Sequence, residues 1–231
     1  MTRLFACKLV NDNDFELLKP ALLQSVPASC AERARGFYHA ADAQRHLIGE
    51  LLARYAIEQV TGTRPNGSFI VGEKGKPHPE GINGMHFNVS HSGEWVVVAV
   101  SAYTVGVDVE RIRKVPDGVA ERFFSEPEKQ WLFSSYDESE KAHRFFTLWT
   151  LKESFLKAIG KGLSKSLSSF TIITNSSDSF SLVHDEETTG FFLKAYPFVD
   201  GYKLAACAAG NDFAEETAYT DIRQLLKNAA L

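Results

Sequence analysis

The sequence predicts a mixed α/β (α+β) fold made of two similar lobes. Three observations carry this. The chain has 231 residues, which suits one large domain or two small ones. One order of elements (long helix, strand, loop, paired strands) is written twice. Short stretches also echo between the halves: Gly67-Ser68-Phe69 against Ser168-Ser169-Phe170, and the run Trp95 to Val100 against Tyr202 to Ala208. The seam falls near Ser101 to Val105, so the expected lobes are residues 1–103 and 104–231.

Each element has a local reason. Ala41 to Val60 reads as a helix, because Leu47, Ile48, Leu51, Leu52, Tyr55, Ala56 and Val60 recur at helical spacing. Asp42 is placed to cap it, and Thr61-Gly62 with Pro65 ends it. Ser68 to Val71 is a short strand, and the Gly- and Pro-rich stretch 72–84 is a loop. Met85 to Ser90 and Trp95 to Ser101 are strands about the turn Ser92-Gly93-Glu94. In the second half, Ser125-Glu126-Pro127-Glu128 reads as a helix-capping box. Phe145 to Ile159 is a helix stopped by Gly160. Ser169 to Thr174, Phe180 to Val183, Phe191 to Tyr196 and Tyr202 to Ala208 are strand candidates.

Composition narrows the function. Hydrophobic residues are 44% and charged residues 23%, which suits a packed core rather than disorder. A net charge of −4 disfavours a nucleic-acid binder, which carries a basic surplus. The three cysteines, Cys7, Cys30 and Cys207, are far apart and form neither a disulfide framework nor a zinc site. Arg3 and Lys8 interrupt any signal-peptide core. No apolar run approaches the ~20 residues that span a bilayer. The expected setting is soluble and cytoplasmic, without a membrane or nucleic-acid partner.

Five segments offer chemistry. In Val105-Gly106-Val107-Asp108-Val109-Glu110, strand alternation puts Asp108 and Glu110 on one face beside a glycine, about 7 Å apart. Oxygen donors so placed suit a hard cation such as Mg²⁺, and a solvated strand face is the plain alternative. On the second helix, Glu153 and Lys157 share a row on a segment that is otherwise largely apolar. They form either a surface ion pair or a row aimed at a site. Gly75-Lys76-Pro77 could bring a cation to a phosphate or be a simple turn, and it is not a Walker loop. His91 in Phe87-Asn88-Val89-Ser90-His91-Ser92 could donate to a phosphate or be structural, with no nucleophile elbow nearby. Glu128 caps its own helix and is free to do more.

Taken in order, these segments resemble the 4′-phosphopantetheinyl transferases. The similarity is to the long, surfactin-synthetase-activating (Sfp-like) class. It rests on Gly75-Lys76-Pro77, the Phe87–Ser92 and Val105–Glu110 strands, the Trp149–Lys157 helix and Gly160-Lys161-Gly162-Leu163. Phe37-Tyr38-His39 and Asp42 to Arg45 mark its entry, and it spans about Arg33 to Gly210.

The resemblance implies a monomer whose lobes are related by a pseudo-twofold. Each lobe would be a long helix packed on a small, mainly antiparallel sheet. It implies Mg²⁺ (or Mn²⁺) and coenzyme A, with transfer to a serine of an acidic helical carrier protein and release of adenosine 3′,5′-bisphosphate. Asp108, Glu110 and Glu153 match the metal ligands. Glu153 also matches the general base, Lys157 a phosphate-binding catalytic lysine, and Glu128 a further acidic position. Coenzyme A contacts carry over to Arg33, Arg45, Lys76, Pro77, Ser90, His91, Lys152 and Lys157. Cys30 stands where many members have a phosphate-binding lysine. Arg111, Arg113, Lys114, Lys161 and Lys165 are candidates for steering the carrier. A Mg²⁺-dependent phosphohydrolase and a non-catalytic coenzyme A binder are the alternative readings.

Overall fold

The computed structural model describes residues 1–72, 75–160, 165–176, 179–184, 187–188 and 190–229. The first lobe opens with β1 (Thr2–Lys8), α1 (Asp12–Gln24) and α2 (Ala28–Arg35), leading into α3 (Ala40–Thr61). Next come the short pair β2 (Ile70–Val71) and β3 (Pro77–His78), then the hairpin β4 (His86–Ser92) and β5 (Trp95–Ser101). The second lobe runs β6 (Val105–Arg111), α4 (Val119–Phe123), α5 (Glu126–Phe133) and α6 (Glu138–Ile159). It continues with β7 (Thr171–Ser176), β8 (Ser179–His184), β9 (Glu187–Thr188), β10 (Phe192–Tyr196) and β11 (Tyr202–Ala208). The chain closes with β12 (Phe213–Thr220) and α7 (Ile222–Ala229).

The repeat is visible in the strand order. Within the first sheet, β12-β1-β5-β4, the core order is β1-β5-β4; the matching sheet reads β6-β11-β10. Each lobe thus has a first strand, a 22-residue helix and a returning antiparallel hairpin whose last strand lies beside the first. Both helices stop at a left-handed glycine, Gly62 (φ 73°) and Gly160 (φ 68°). At such a φ a side chain is disfavoured and glycine is not. A third small sheet, β7-β8-β9, belongs to the second lobe.

Among the described residues three cores hold the molecule. Leu47, Leu51, Leu52 and Ile57 of α3 pack on Phe5, Val96, Val98 and Val100. Leu148, Leu151, Phe155 and Leu156 of α6 pack with Ala205, Cys207 and Phe170. The opposite sheet faces share a third core of Leu4, Ala6, Val97, Ala99, Val105, Val107, Val109, Leu204 and Ala206. Trp95 to Val100 is continuously apolar because β5 is buried on both faces.

Several boundaries differ from the sequence reading. Asp42 does not cap α3: the cap position is His39, and Asp42 instead accepts from Arg45 Nη1 at 2.7 Å. Pro77 and His78 form a strand inside the expected loop. The helix α6 begins earlier than Phe145, where the Asp137 side chain accepts from the Glu140 N–H. The expected 104–231 lobe loses its end. Strand β12 pairs parallel with β1, and Ile222 and Leu225 of α7 fill the first core. Among the described residues no helix is long and apolar enough to cross a membrane.

Candidate active site

The site forms where the two sheets meet edge to edge. Strands β4 and β6 do not share a backbone ladder. Three side chains of β4 reach across instead. Asn88 Oδ1 accepts from the Val107 N–H (2.9 Å), Ser90 Oγ from the Val109 N–H (3.3 Å), and Ser92 Oγ from the Arg111 N–H (3.1 Å). These amides point away from β11 and would otherwise be an unpaired sheet edge. The bridging side chains hold the lobes a side chain's length apart, which leaves a cleft.

Helix α6 lies close over β6 because residue 106 is glycine. A Cβ there would press into the Ser154 carbonyl oxygen and the Ala158 nitrogen. The close approach sets Glu153 and Lys157 above Asp108 and Glu110. A pocket of about 320 Å³ is lined by Ser90, His91, Asp108, Glu110, Trp149, Glu153 and Lys157, with Val89. Lys157 Nζ is 2.6 Å from Asp108 Oδ1 and 3.0 Å from Ser90 Oγ. Ser90 Oγ donates to Asp108 Oδ1 (2.9 Å), and Ser92 Oγ donates to Glu110 Oε2 (2.8 Å).

The three carboxylates are held toward their neutral forms. Burial raises the Asp108 pKa against the pull of the Lys157 ammonium. Burial raises Glu110, the Ser92 hydrogen bond lowering it and the Asp108 charge adding to the rise. Burial raises Glu153, and the charges of Asp108 and Glu110 push the same way. Crowded, partly desolvated carboxylates are what a bound cation would relieve. Asp108 Oδ2 is buried and has no hydrogen-bond partner. Among the described residues no three His, Cys, Asp or Glu side chains are already drawn into a cation cage. The fit to a metal therefore rests on the all-oxygen donor set, their mutual repulsion and the orphaned Oδ2. Those features suit a hard divalent ion.

Val89 and His91 also line a second, larger cavity of about 800 Å³ in the first lobe. Arg33, Arg45, Pro77, Phe37 and Phe69 contribute to its walls. Arg33 brings a cation. Arg45 reaches the cavity, but its guanidinium donates to Asp42 and twice to the Gly93 carbonyl, clamping the β4–β5 turn. Burial lowers the His91 pKa, and the Arg45 and Lys157 charges add to this. Cys30 lines the cavity as a neutral thiol: its Sγ is 3.3 Å from His46 Nε2, and burial pushes its pKa up to about 12.

Three expected site residues sit elsewhere. Lys152 and Glu128 are fully enclosed, paired at 2.6 Å, and face away from the cleft. Lys152 also donates to the Phe170 carbonyl, while Glu128 accepts from the Ser125 and Ile172 N–H groups. Lys152 departs from its neighbour Glu153 because successive side chains leave a helix about 100° apart. Lys76 Nζ donates to the Val105 and Ala158 carbonyls, tying its loop to the second lobe. Lys161 and the Lys161-Gly162-Leu163 stretch lie outside the described residues. Asn88 and Ser92 were not singled out from sequence. Their signal was a polar residue at every second position of β4, facing the edge of the Asp108 strand.

Comparison with known proteins follows the same two halves. Residues 104–207 match the model of the 4′-phosphopantetheinyl transferase superfamily, and residues 16–103 match that of the 4′-phosphopantetheinyl transferase N-terminal region. The chain is 39% identical over 206 residues to the 4′-phosphopantetheinyl transferase ffp of Bacillus subtilis, covering 89% of this chain and 92% of that one. It is 37% identical to Sfp of Bacillus subtilis strain 168, covering 84% and 87%. With psf-1 of Bacillus pumilus it shares 36% identity, covering 91% and 89%. The solved holo-[acyl-carrier-protein] synthase of Thermotoga maritima aligns at 24% identity and a TM-score of 0.38, over 46% of this chain and 62% of that one, and carries no further weight. The chain belongs to the 4′-phosphopantetheinyl transferase superfamily, in its Sfp-like class.

Proposed function

We propose that the chain transfers the 4′-phosphopantetheine group of coenzyme A to a serine of an apo carrier protein. The observation that carries this is the junction at Val89 and His91. There a cavity large enough for a nucleotide shares wall residues with a cleft holding three carboxylates and a lysine. In the reaction the serine oxygen bonds to the phosphorus next to the pantetheine. The P–O bond to adenosine 3′,5′-bisphosphate breaks, and the serine proton leaves to a base.

The residues divide this work. Arg33, with His91 and Pro77, holds the nucleotide end in the cavity. Asp108, Glu110 and Glu153 would hold Mg²⁺ or Mn²⁺, and such an ion would supply positive charge against the phosphates. Glu153 lines the same cleft and takes the serine proton directly or through water. Lys157 stands over the same cleft. Its ammonium faces the charge that develops on the leaving phosphate, with Ser90 and Asp108 fixing its direction.

The carrier is read as a small acidic helical bundle. Exposed Arg111, Arg113 and Lys114 follow directly from the carboxylate strand, beside a groove of about 560 Å³ lined in part by Val115, Leu132 and Phe133. Such a face supports docking of an acidic partner by steering and apolar contact. The protein is further read as a cytoplasmic monomer.

The test is direct. Apo carrier protein, coenzyme A and Mg²⁺ are incubated with the enzyme, and the carrier is weighed by mass spectrometry. A gain of one phosphopantetheine is expected. An unchanged carrier mass overturns the reading, and phosphate released without a carrier points to a phosphohydrolase.

A further inference from the structure

The seam between β4 and β6 carries one more assignment. Two serines on β4 repeat a single arrangement two residues apart. Ser90 Oγ receives the Val109 N–H and donates to Asp108; Ser92 Oγ receives the Arg111 N–H and donates to Glu110. A seryl hydroxyl has one proton to give and turns freely. The strand amide occupies a lone pair of each oxygen and leaves the proton aimed at the carboxylate just before that amide. Asn88 occupies the third rung, where it takes the Val107 N–H. The residue before Val107 is Gly106, so this rung has no carboxylate to hold.

We propose that Ser92 is a positioning residue that fixes the Glu110 carboxylate for the divalent cation, whereas Asn88 only closes the seam. This rests on the metal reading above. Groups that hydrogen-bond a ligating carboxylate orient it and raise metal affinity. The ladder supplies its own control: Asn88 and Ser92 bridge the same strands, but only Ser92 touches a carboxylate.

The experiment measures Mn²⁺ binding by electron paramagnetic resonance on protein loaded with coenzyme A, without carrier. Ser92→Ala is expected to weaken Mn²⁺ binding about tenfold, Ser92→Thr to bind like the parent, and Asn88→Ala to lower the melting temperature with Mn²⁺ affinity unchanged. If Ser92→Ala does not fold, the isosteric pair Ser92→Thr and Ser92→Val carries the comparison, with only Val weakened. Unchanged binding in the hydroxyl-free variants overturns the assignment, and so does equal weakening by Asn88→Ala. A parent protein that binds no Mn²⁺, or an Asp108→Ala variant that binds it equally well, would instead remove the metal reading itself.

Discussion

Two lysines of helix α6 pair with carboxylates of other elements at the same length but in very different settings. Lys152–Glu128 and Lys157–Asp108 both close to 2.6 Å. In the first, both side chains are 0% exposed, and each Glu128 oxygen has a partner. The Lys152 ammonium is also placed over the Phe170 ring, 4.2 Å from its centre. In the second, Lys157 is 28% exposed to the cleft and Asp108 keeps one oxygen unpartnered. A finished pair of buried charges is a structural joint, linking α5, α6 and β7. An unfinished one retains capacity for a further ligand. Their difference separates what holds the helix from what the helix presents.

Breaking the open pair is expected to have the largest effect. Asp108→Ala should lower transfer roughly a thousandfold or more, the scale on which lost electrostatic stabilisation of a transition state is felt, with the fold intact by circular dichroism. The carrier mass assay reads it, and retained activity would take Asp108 out of the site.

The closed pair should fail the other way. Lys152→Met leaves Glu128 buried without its partner, at a cost of about 3–5 kcal/mol in unfolding free energy. The double variant Lys152→Met/Glu128→Gln should recover part of that loss, because the unpaired charge is gone while the amide oxygen still accepts a backbone N–H. Denaturant titration checks both. A single variant as stable as the parent would show that the pair is not a joint.

In the first-lobe cavity the effect should be smaller and of another kind. Arg33→Ala is expected to raise the KM for coenzyme A about tenfold, the loss of about one charge-assisted hydrogen bond, with kcat little changed. A fall in kcat at constant KM would move Arg33 from binding to chemistry.

The smallest effect is on pH dependence. Burial lowers the pKa of His46, His86 and His91 from the ordinary 6.5. The unfolded chain therefore takes up these protons first. Their contribution to stability is full above 6.5 and is lost as pH falls toward the lowered folded values. As pH falls from about 7.5 to about 6 the histidines lower the melting temperature, against the site carboxylates, whose raised pKa values act the other way, and His91→Gln should remove part of the lowering. An unchanged slope would mean that His91 is not held neutral.

Legibility in the sequence varied from residue to residue. Long periodic elements such as α3, and the β4–β5 hairpin, announced themselves through spacing and turn residues. So did the capping box at Ser125, where Ser125 N–H to Glu128 Oε2 closes at 2.7 Å. Helix α7 has a local signal that went unread, Ile222, Leu225 and Leu226 at helical spacing behind the capping Asp221; that it and β12 join the first lobe was not legible, because their partners lie at the opposite end of the chain. At the candidate site, Asp108, Glu110, Glu153 and Lys157 were legible because strand and helix periods put each pair on one face. Lys152 adjoins Glu153 in sequence but is enclosed in the fold, and Glu128 closes its own capping box and the buried pair with Lys152.

The sequence by itself determined the doubled helix-and-hairpin plan and the rows of charge on β6 and α6, because periodicity and turn chemistry are local. Only the tertiary structure decided that Gly106 lets α6 close over β6, that Lys152 turns inward while Lys157 faces the cleft, and that Asn88, Ser90 and Ser92 join the sheets. Those outcomes depend on which surfaces meet, and long-range packing rather than neighbouring residues sets that.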